Sequence, residues 1–252
     1  MILKFKVFME ALNEERQIHM YLPDDYLTSG QTYPVLYMFD GHNLFYDEDA
    51  TFGRSWRLEE EVRKAGAQLI IVGQECSHEG NARLDEYGPY PFYDPAFGVF
   101  SGKGSMTMDF FVNDLKPYID AHFPTRSSRR WTWIGGSSCG GLMALYASYK
   151  YSEVFSRALA ISPYILPTFS SVMADIASTH IGHPGRLYMS WGALEGNDAH
   201  EFVRETEACT QAANLLMDKG MRVRFNVKPF GHHTEASWQD EAQAFLAFLF
   251  KS

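Results

Sequence analysis

Polar and apolar positions alternate through the first part of the chain and then stop alternating. Residues 2–9 place charged side chains between apolar ones, and residues 16–22 do so again. This period-two pattern predicts two half-covered strands, paired as a hairpin through Asn13, Glu14 and Glu15. From residue 34 the apolar runs become nearly continuous. Val35-Leu36-Tyr37-Met38-Phe39 and Gln68-Leu69-Ile70-Ile71-Val72 read as strands buried on both faces. Strands are predicted over 34–39, 69–74, 131–135, 157–162, 186–191 and 222–228, and helices near 55–65, 106–122, 139–150, 199–218 and 236–250. In the last helix, Ala242, Phe245, Leu246 and Leu249 recur at helical spacing and mark a core face. Pro117 predicts a kink in the helix over 106–122, because it lacks an amide hydrogen and its ring crowds the preceding turn.

Strand followed by helix, repeated, implies a mostly parallel eight-stranded sheet with an antiparallel start and helices on both faces. The chain shows no internal repeat and no low-complexity linker, which predicts a single α/β domain over 1–252. Residues 75–105 do not fit the alternation. They carry Tyr87, Tyr90, Phe92, Tyr93, Phe97 and Phe100 among prolines and glycines. A long aromatic loop in a compact domain reads either as a lid or binding loop, with Tyr87, Tyr90 and Phe92 as substrate contacts, or as a surface excursion whose rings fill a satellite core.

Composition narrows the class. An apolar fraction of 46% supports a sizeable core, and a formal net charge of −9 argues against a nucleic-acid partner. No stretch approaches the length of a membrane span. Cys76, Cys139 and Cys209 are widely spaced and odd in number, with no CxxC pair, so a disulfide framework is not expected and a reducing, cytoplasmic setting fits. His180 and His183 are spaced as HxxH but lack an acidic partner nearby, and His19, His78, His122 and His200 read as structural or surface residues.

The segment Gly136-Ser137-Ser138-Cys139-Gly140 carries the chemistry. Ser138 satisfies G-x-S-x-G, whereas Ser137 has Cys139 where the second glycine should stand. A predicted strand precedes it and a predicted helix follows. This is the context of a nucleophile elbow, where a sharp turn lifts the serine hydroxyl above the sheet. A serine hydroxyl attacks only when a base takes its proton and fixed dipoles receive the developing charge. The base is a histidine, oriented by a carboxylate, and in the α/β-hydrolase layout the order is serine, acid, histidine.

His232 and His233 follow the last predicted strand, where the base is expected, and spacing alone does not choose between them. After the strand over 186–191 stand Glu195 and Asp198. Asp198 has a competing role as a helix cap, with Glu201 three residues on, so Glu195 is the favoured acid and Asp198 the alternative. Two backbone amides should form the oxyanion hole: that of Cys139, after the nucleophile, and that of His42, in the loop after the third strand.

These residues resemble the "putative esterase" family of the α/β-hydrolase superfamily, which includes esterase D-like enzymes, feruloyl esterases, enterochelin esterases and mycolyltransferases. Tyr37 to Phe45 is similar to the family's Y-x-x-D-G-x-N-L-F, and Arg83 to Pro89 to its R-x-x-E-Y-x-P. Gly136 to Leu142 resembles G-S-S-M-G-G-L, with Cys139 in place of methionine, and Phe155 to Pro163 resembles the strand ending in S-P. Gly192-Ala193-Leu194-Glu195 looks like the G-x-x-E that carries the acid in several members, and His233 to Trp238 resembles H-N-E-A-A-W, with Thr234 for asparagine. The resemblance assigns the base to His233. It implies an α/β-hydrolase fold and a serine carboxylesterase acting on a small-molecule ester, without metal or organic cofactor. An acyltransferase using the same triad, and a non-catalytic binding protein on the same fold, are the other readings. Substrate and any homo-oligomeric state stay open.

Overall fold

The structure is a computed structural model that describes residues 1–251. Ten strands form, β1 (Ile2–Met9), β2 (Glu14–Tyr21), β3 (Val35–Phe39), β4 (Ile70–Gln74), β5 (Phe92–Asp94), β6 (Gly98–Phe100), β7 (Thr132–Ser137), β8 (Arg157–Ile161), β9 (Arg186–Gly192) and β10 (Arg222–Lys228). Eight of them build one sheet in the order β1-β2-β4-β3-β7-β8-β9-β10. The β1–β2 and β2–β4 pairs are antiparallel and the rest parallel, as the alternation pattern predicted. The hairpin register differs from the expected one. Met9 faces Glu14, and the turn is a 3₁₀ turn over Glu10–Leu12 closed by Asn13 in the left-handed region.

Strand pleating sends alternate residues of each strand to opposite faces. On one face Tyr37, Phe39, Ile134, Ala158 and Met189 meet α5 (Cys139–Lys150), α6 (Phe169–Ser178), α7 (Ala199–Asp218) and the helical run 104–122. On the other, Leu36, Met38, Trp133, Leu159 and Tyr188 meet α1 (Leu58–Ala65), α8 (Glu235–Asp240) and α9 (Ala242–Phe250). All four residues of the predicted stripe on the last helix are buried. That helix is broken at Glu241 into α8 and α9, because the Glu241 side chain is drawn inward to Lys228, Tyr188 and Asn226.

Three further differences matter. The run 104–122 consists of α3 (Gly104–Asp109), a π-helical segment (Phe110–Leu115) and α4 (Lys116–His122). Pro117 lies inside this continuous helical run, directly after the wider π-helical turn. Helix α6 had no expectation in the sequence. Residues 75–105 are not a bare loop: they form α2 (Ala82–Glu86) and the β5–β6 hairpin. No helix among the described residues is long and apolar enough to cross a membrane.

Candidate active site

The segments after β3, β4, β7, β8, β9 and β10 all emerge at the carboxyl edge of the parallel strands, where open α/β sheets place their ligands. A larger cavity of about 510 Å³ lies at the opposite edge, among Arg129, Arg130, Arg157, Arg186 and Arg222. It holds none of the nucleophile, base or acid candidates. The cleft that does is smaller, about 240 Å³, and is lined by Ser138, Ser162 to Leu166, Glu195, Gly196, Glu201, Glu205 and His233.

Ser138 sits between the end of β7 and the first residue of α5 with φ 57° and ψ −122°. A side-chain-bearing residue occupies such a conformation only where its surroundings force it. The forcing contacts are visible. Ser138 donates its amide to the Ile161 carbonyl (3.0 Å) and accepts from the amides of Leu142 (3.0 Å) and Tyr164 (2.9 Å). A Cβ at Gly136 would lie 2.7 Å from the Gly140 carbonyl carbon, so the two glycines of the motif are what let strand and helix close on each other.

Glu195 is held on both oxygens. Oε1 accepts from the Gly192 amide (2.6 Å) and from Ser162 Oγ (2.7 Å), and Oε2 lies 3.0 Å from His233 Nδ1. Ser162, itself at positive φ, accepts in turn from Trp238 Nε1 (2.9 Å), and the Trp238 ring stands edge-on to the His233 ring at 5.1 Å. The imidazole is thus fixed on one nitrogen, leaving Nε2 to face the cleft that Ser138 also lines. No hydrogen bond joins Ser138 Oγ to the ring among the described residues; such contacts are often long in ligand-free sites and tighten with substrate. Asp198 is engaged elsewhere: it caps α7, accepting from the Glu201 amide at 2.9 Å. The His232 side chain is exposed and makes no hydrogen bond among the described residues, while its amide donates to Ser237 Oγ.

The His42 and Cys139 amides donate to no acceptor among the described residues, although Asn43 and Leu44 next door close their own turn. Their loop is held from beneath. Asp40, at φ 56°, receives both Arg83 nitrogens (Nε and an Nη, each 2.7 Å), and its amide donates to the Tyr87 hydroxyl (3.3 Å). Burial alone would raise the Asp40 carboxyl, but the Arg83 guanidinium outweighs it and holds the group below the usual carboxylate range. Glu86 pairs with Arg16 and accepts from the Ser77 amide (3.0 Å). Arg83, Glu86 and Tyr87 therefore brace the loops beside the cleft.

Of the aromatic residues of 75–105, Tyr87, Tyr90 and Phe92 do not line this cleft. Tyr87 is buried against Phe39 and donates to Gln74 Oε1 (2.7 Å). The Tyr90 hydroxyl meets Tyr149 and Asp175, and Phe92 stacks on Phe100. The hairpin instead reaches the cleft through Tyr164, whose hydroxyl donates to Asp94 and whose ring meets Phe92 edge-on. Sequence reasoning passed over Ser162, Tyr164, Trp238 and Glu205. The S-P and the tryptophan lay within the quoted motifs without an assigned task, and Glu205 carried no local signal.

Glu205 is half-buried in the cleft wall, and its carboxyl is pushed up to about 8 by burial and then by the negative charges of Glu195 and Glu201. An unfolded glutamate ionises near 4.5. Between those pH values the unfolded chain binds fewer protons than the folded one, so this group makes stability fall as pH rises and level off above about 8. Glu205→Gln removes that slope. In denaturant unfolding, the variant should gain on the order of 1–2 kcal/mol over wild type at about pH 9, and little at about pH 5.

An eight-stranded, mostly parallel sheet with a strained serine at a strand-to-helix turn, and a carboxylate–imidazole pair on later strand ends, defines an α/β-hydrolase. The chain belongs to the esterase family whose model, described as "Putative esterase", matches residues 9–249. Among curated relatives it is 26% identical to "Uncharacterized protein YbbA" of Bacillus subtilis, covering 81% of this chain and 79% of that one. It is 27% identical to the "Siderophore triacetylfusarinine C esterase" of Aspergillus fumigatus, covering 77% and 71%. Among solved structures, an IroE-like serine hydrolase from Shewanella oneidensis superposes with a TM-score of 0.76 at 19% identity, covering 99% of this chain and 80% of that one.

Proposed function

We propose that this esterase-family chain is a serine carboxylesterase working through an acyl-enzyme on Ser138. The observation that carries the proposal is the hydrogen-bonded series Trp238–Ser162–Glu195–His233, ending at the cleft that Ser138 lines. Ser138 Oγ attacks the ester carbonyl while His233 Nε2 takes its proton. The oxygen that becomes negative is received by the amides of His42 and Cys139. His233 then protonates the departing alcohol, and a water, deprotonated by the same nitrogen, releases the acid. Glu195 keeps the Nδ1 proton in place and balances the imidazolium charge.

The cleft favours compact esters. Its volume of about 240 Å³ is below the usual range for drug-sized ligands, roughly 300–1,000 Å³, and Pro163, Ile165 and Leu166 give it an apolar side opposite Glu201 and Glu205. Likeness to a siderophore esterase adds siderophore esters as candidates, with only one ester arm seated at a time. The test is a panel of short nitrophenyl esters, methyl ferulate, acetylated xylan and a trilactone siderophore, with and without a fluorophosphonate. The expected result is hydrolysis of the short esters, abolished by the inhibitor. Absence of hydrolysis across the panel, or hydrolysis insensitive to the inhibitor, would contradict the proposal.

A further inference from the structure

Beside the cleft, the loops after β3 and β4 bring together three side chains that the proposed chemistry does not use: His42, Cys76 and His78. One ligand atom from each lies within 4.8 Å of the other two. Chain spacing gave no hint of this, because His42 comes from a different loop; the pairing of β3 with β4 makes them neighbours.

The two imidazoles are arranged alike. His42 Nε2 meets Thr51 Oγ1 at 3.0 Å, and His78 Nε2 meets Glu75 Oε1 at 2.7 Å. Each ring is thus anchored through Nε2, which makes Nδ1 the ring atom open to an ion. Metal-binding histidines are held in this way, with the outer nitrogen on an oxygen that fixes tautomer and ring orientation. Glu75 is itself fixed by His19 Nε2 at 2.7 Å. His42 is 3% exposed, and its Nδ1 is buried without a hydrogen-bond partner among the described residues. A buried polar atom left without a partner is uncommon and costs on the order of 1–3 kcal/mol. A cation at this point supplies the partner.

We propose that His42, Cys76 and His78 form a binding site for a borderline or soft metal ion, Zn²⁺ in the first instance. Two imidazoles and a thiolate suit zinc or copper(I) and are poor ligands for magnesium or calcium. Three protein ligands leave a fourth position for water, on the side where the His78 side chain is 55% exposed. With Zn–N near 2.1 Å and Zn–S near 2.3 Å, a tetrahedral site needs ligand atoms roughly 3.4–3.8 Å apart. The His78 side chain, on a surface loop, supplies the small contraction. Burial and the Asp40 charge push the Cys76 thiol up, so loading transfers its proton to solvent as the metal–sulfur bond forms. The ion is not part of ester cleavage.

The test is a titration of the whole metal-free protein with Co²⁺, read by the thiolate-to-cobalt charge-transfer band, and with Zn²⁺, read by calorimetry. One ion should bind per chain. The band should vanish in Cys76→Ser, and affinity should fall by more than about 100-fold in His78→Ala, since loss of an outer partner alone costs about 10–100-fold. Glu75→Gln should fall in that smaller range. Absence of the charge-transfer band, or affinity unchanged in His78→Ala, overturns the site, even if Cys76→Ser fails to fold. The cobalt band needs no ester turnover, so failure of the esterase reading is distinguishable from failure of the site.

Discussion

Glu195→Gln should lower kcat for ester hydrolysis by about 10⁴-fold, the scale seen when a triad carboxylate becomes an amide of the same shape. Shape is not what is lost. Glu195 Oε1 is held by Ser162 and the Gly192 amide, and both are donors. A glutamine will therefore keep its carbonyl oxygen there and turn its NH₂ toward His233 Nδ1. That donor selects the imidazole tautomer with Nδ1 unprotonated, which leaves Nε2 carrying a hydrogen and unable to accept one from Ser138. The charge that would balance the imidazolium is lost as well. Asp198→Asn should leave kcat close to wild type, because Asp198 caps α7 and asparagine caps a helix as well as aspartate does. Steady-state kinetics on both variants checks this. The reverse order of losses would move the acid to Asp198.

Arg83→Met should destabilise the fold by about 3 kcal/mol, the lower end of what removing one partner of a buried ion pair costs. The lower end applies because the Arg83 side chain keeps 29% of its surface while Asp40 keeps 5%. Asp40 would be left charged beneath the loop with the neutral Cys76 thiol as its remaining side-chain donor, since Tyr87 meets the Asp40 amide and not its carboxylate. Since it immediately precedes Gly41 and His42, the rate should fall along with stability. A Cβ at Gly41 would come within 2.3 Å of the Gly73 carbonyl oxygen, so this loop has no room to resettle nearby. Arg83→Lys should not rescue it, because a single ammonium cannot occupy both carboxylate oxygens as the guanidinium fork does. The double variant Asp40→Asn/Arg83→Met should lose less stability than Arg83→Met, since no bare charge remains. Denaturant midpoints for the series test this, and equal losses in the single and double variants would contradict it.

Burial on both faces wrote itself plainly into β3 and β4, and alternation of charged and apolar residues into β1, so the eight-stranded sheet could be read from periodicity; β2 alternates less, since Ile18 to Tyr21 are all buried. The last helix was visible for the same reason, through Ala242, Phe245, Leu246 and Leu249. Its break at Glu241 was not, because that break depends on Lys228, Tyr188 and Asn226, which lie on distant strands. The aromatic content of 75–105 was equally ambiguous. A tyrosine that braces a loop and one that touches a ligand have the same composition, and only the bond from Tyr87 to Gln74 separates them. At the site, the elbow glycines and the late histidine carry local signatures, whereas Ser162 and Trp238 act through contacts with no sequence period. The cluster of His42, Cys76 and His78 is a product of strand pairing alone.

The most direct test is to find the covalent bond. Wild-type protein mixed with a nitrophenyl ester should release nitrophenolate in a burst, and acid quenching followed by peptide mass analysis should find the acyl group on Ser138. Ser138→Ala should show neither the burst nor the adduct. Turnover that survives in Ser138→Ala, or an acyl group carried by Ser137 or any other residue, would contradict the account.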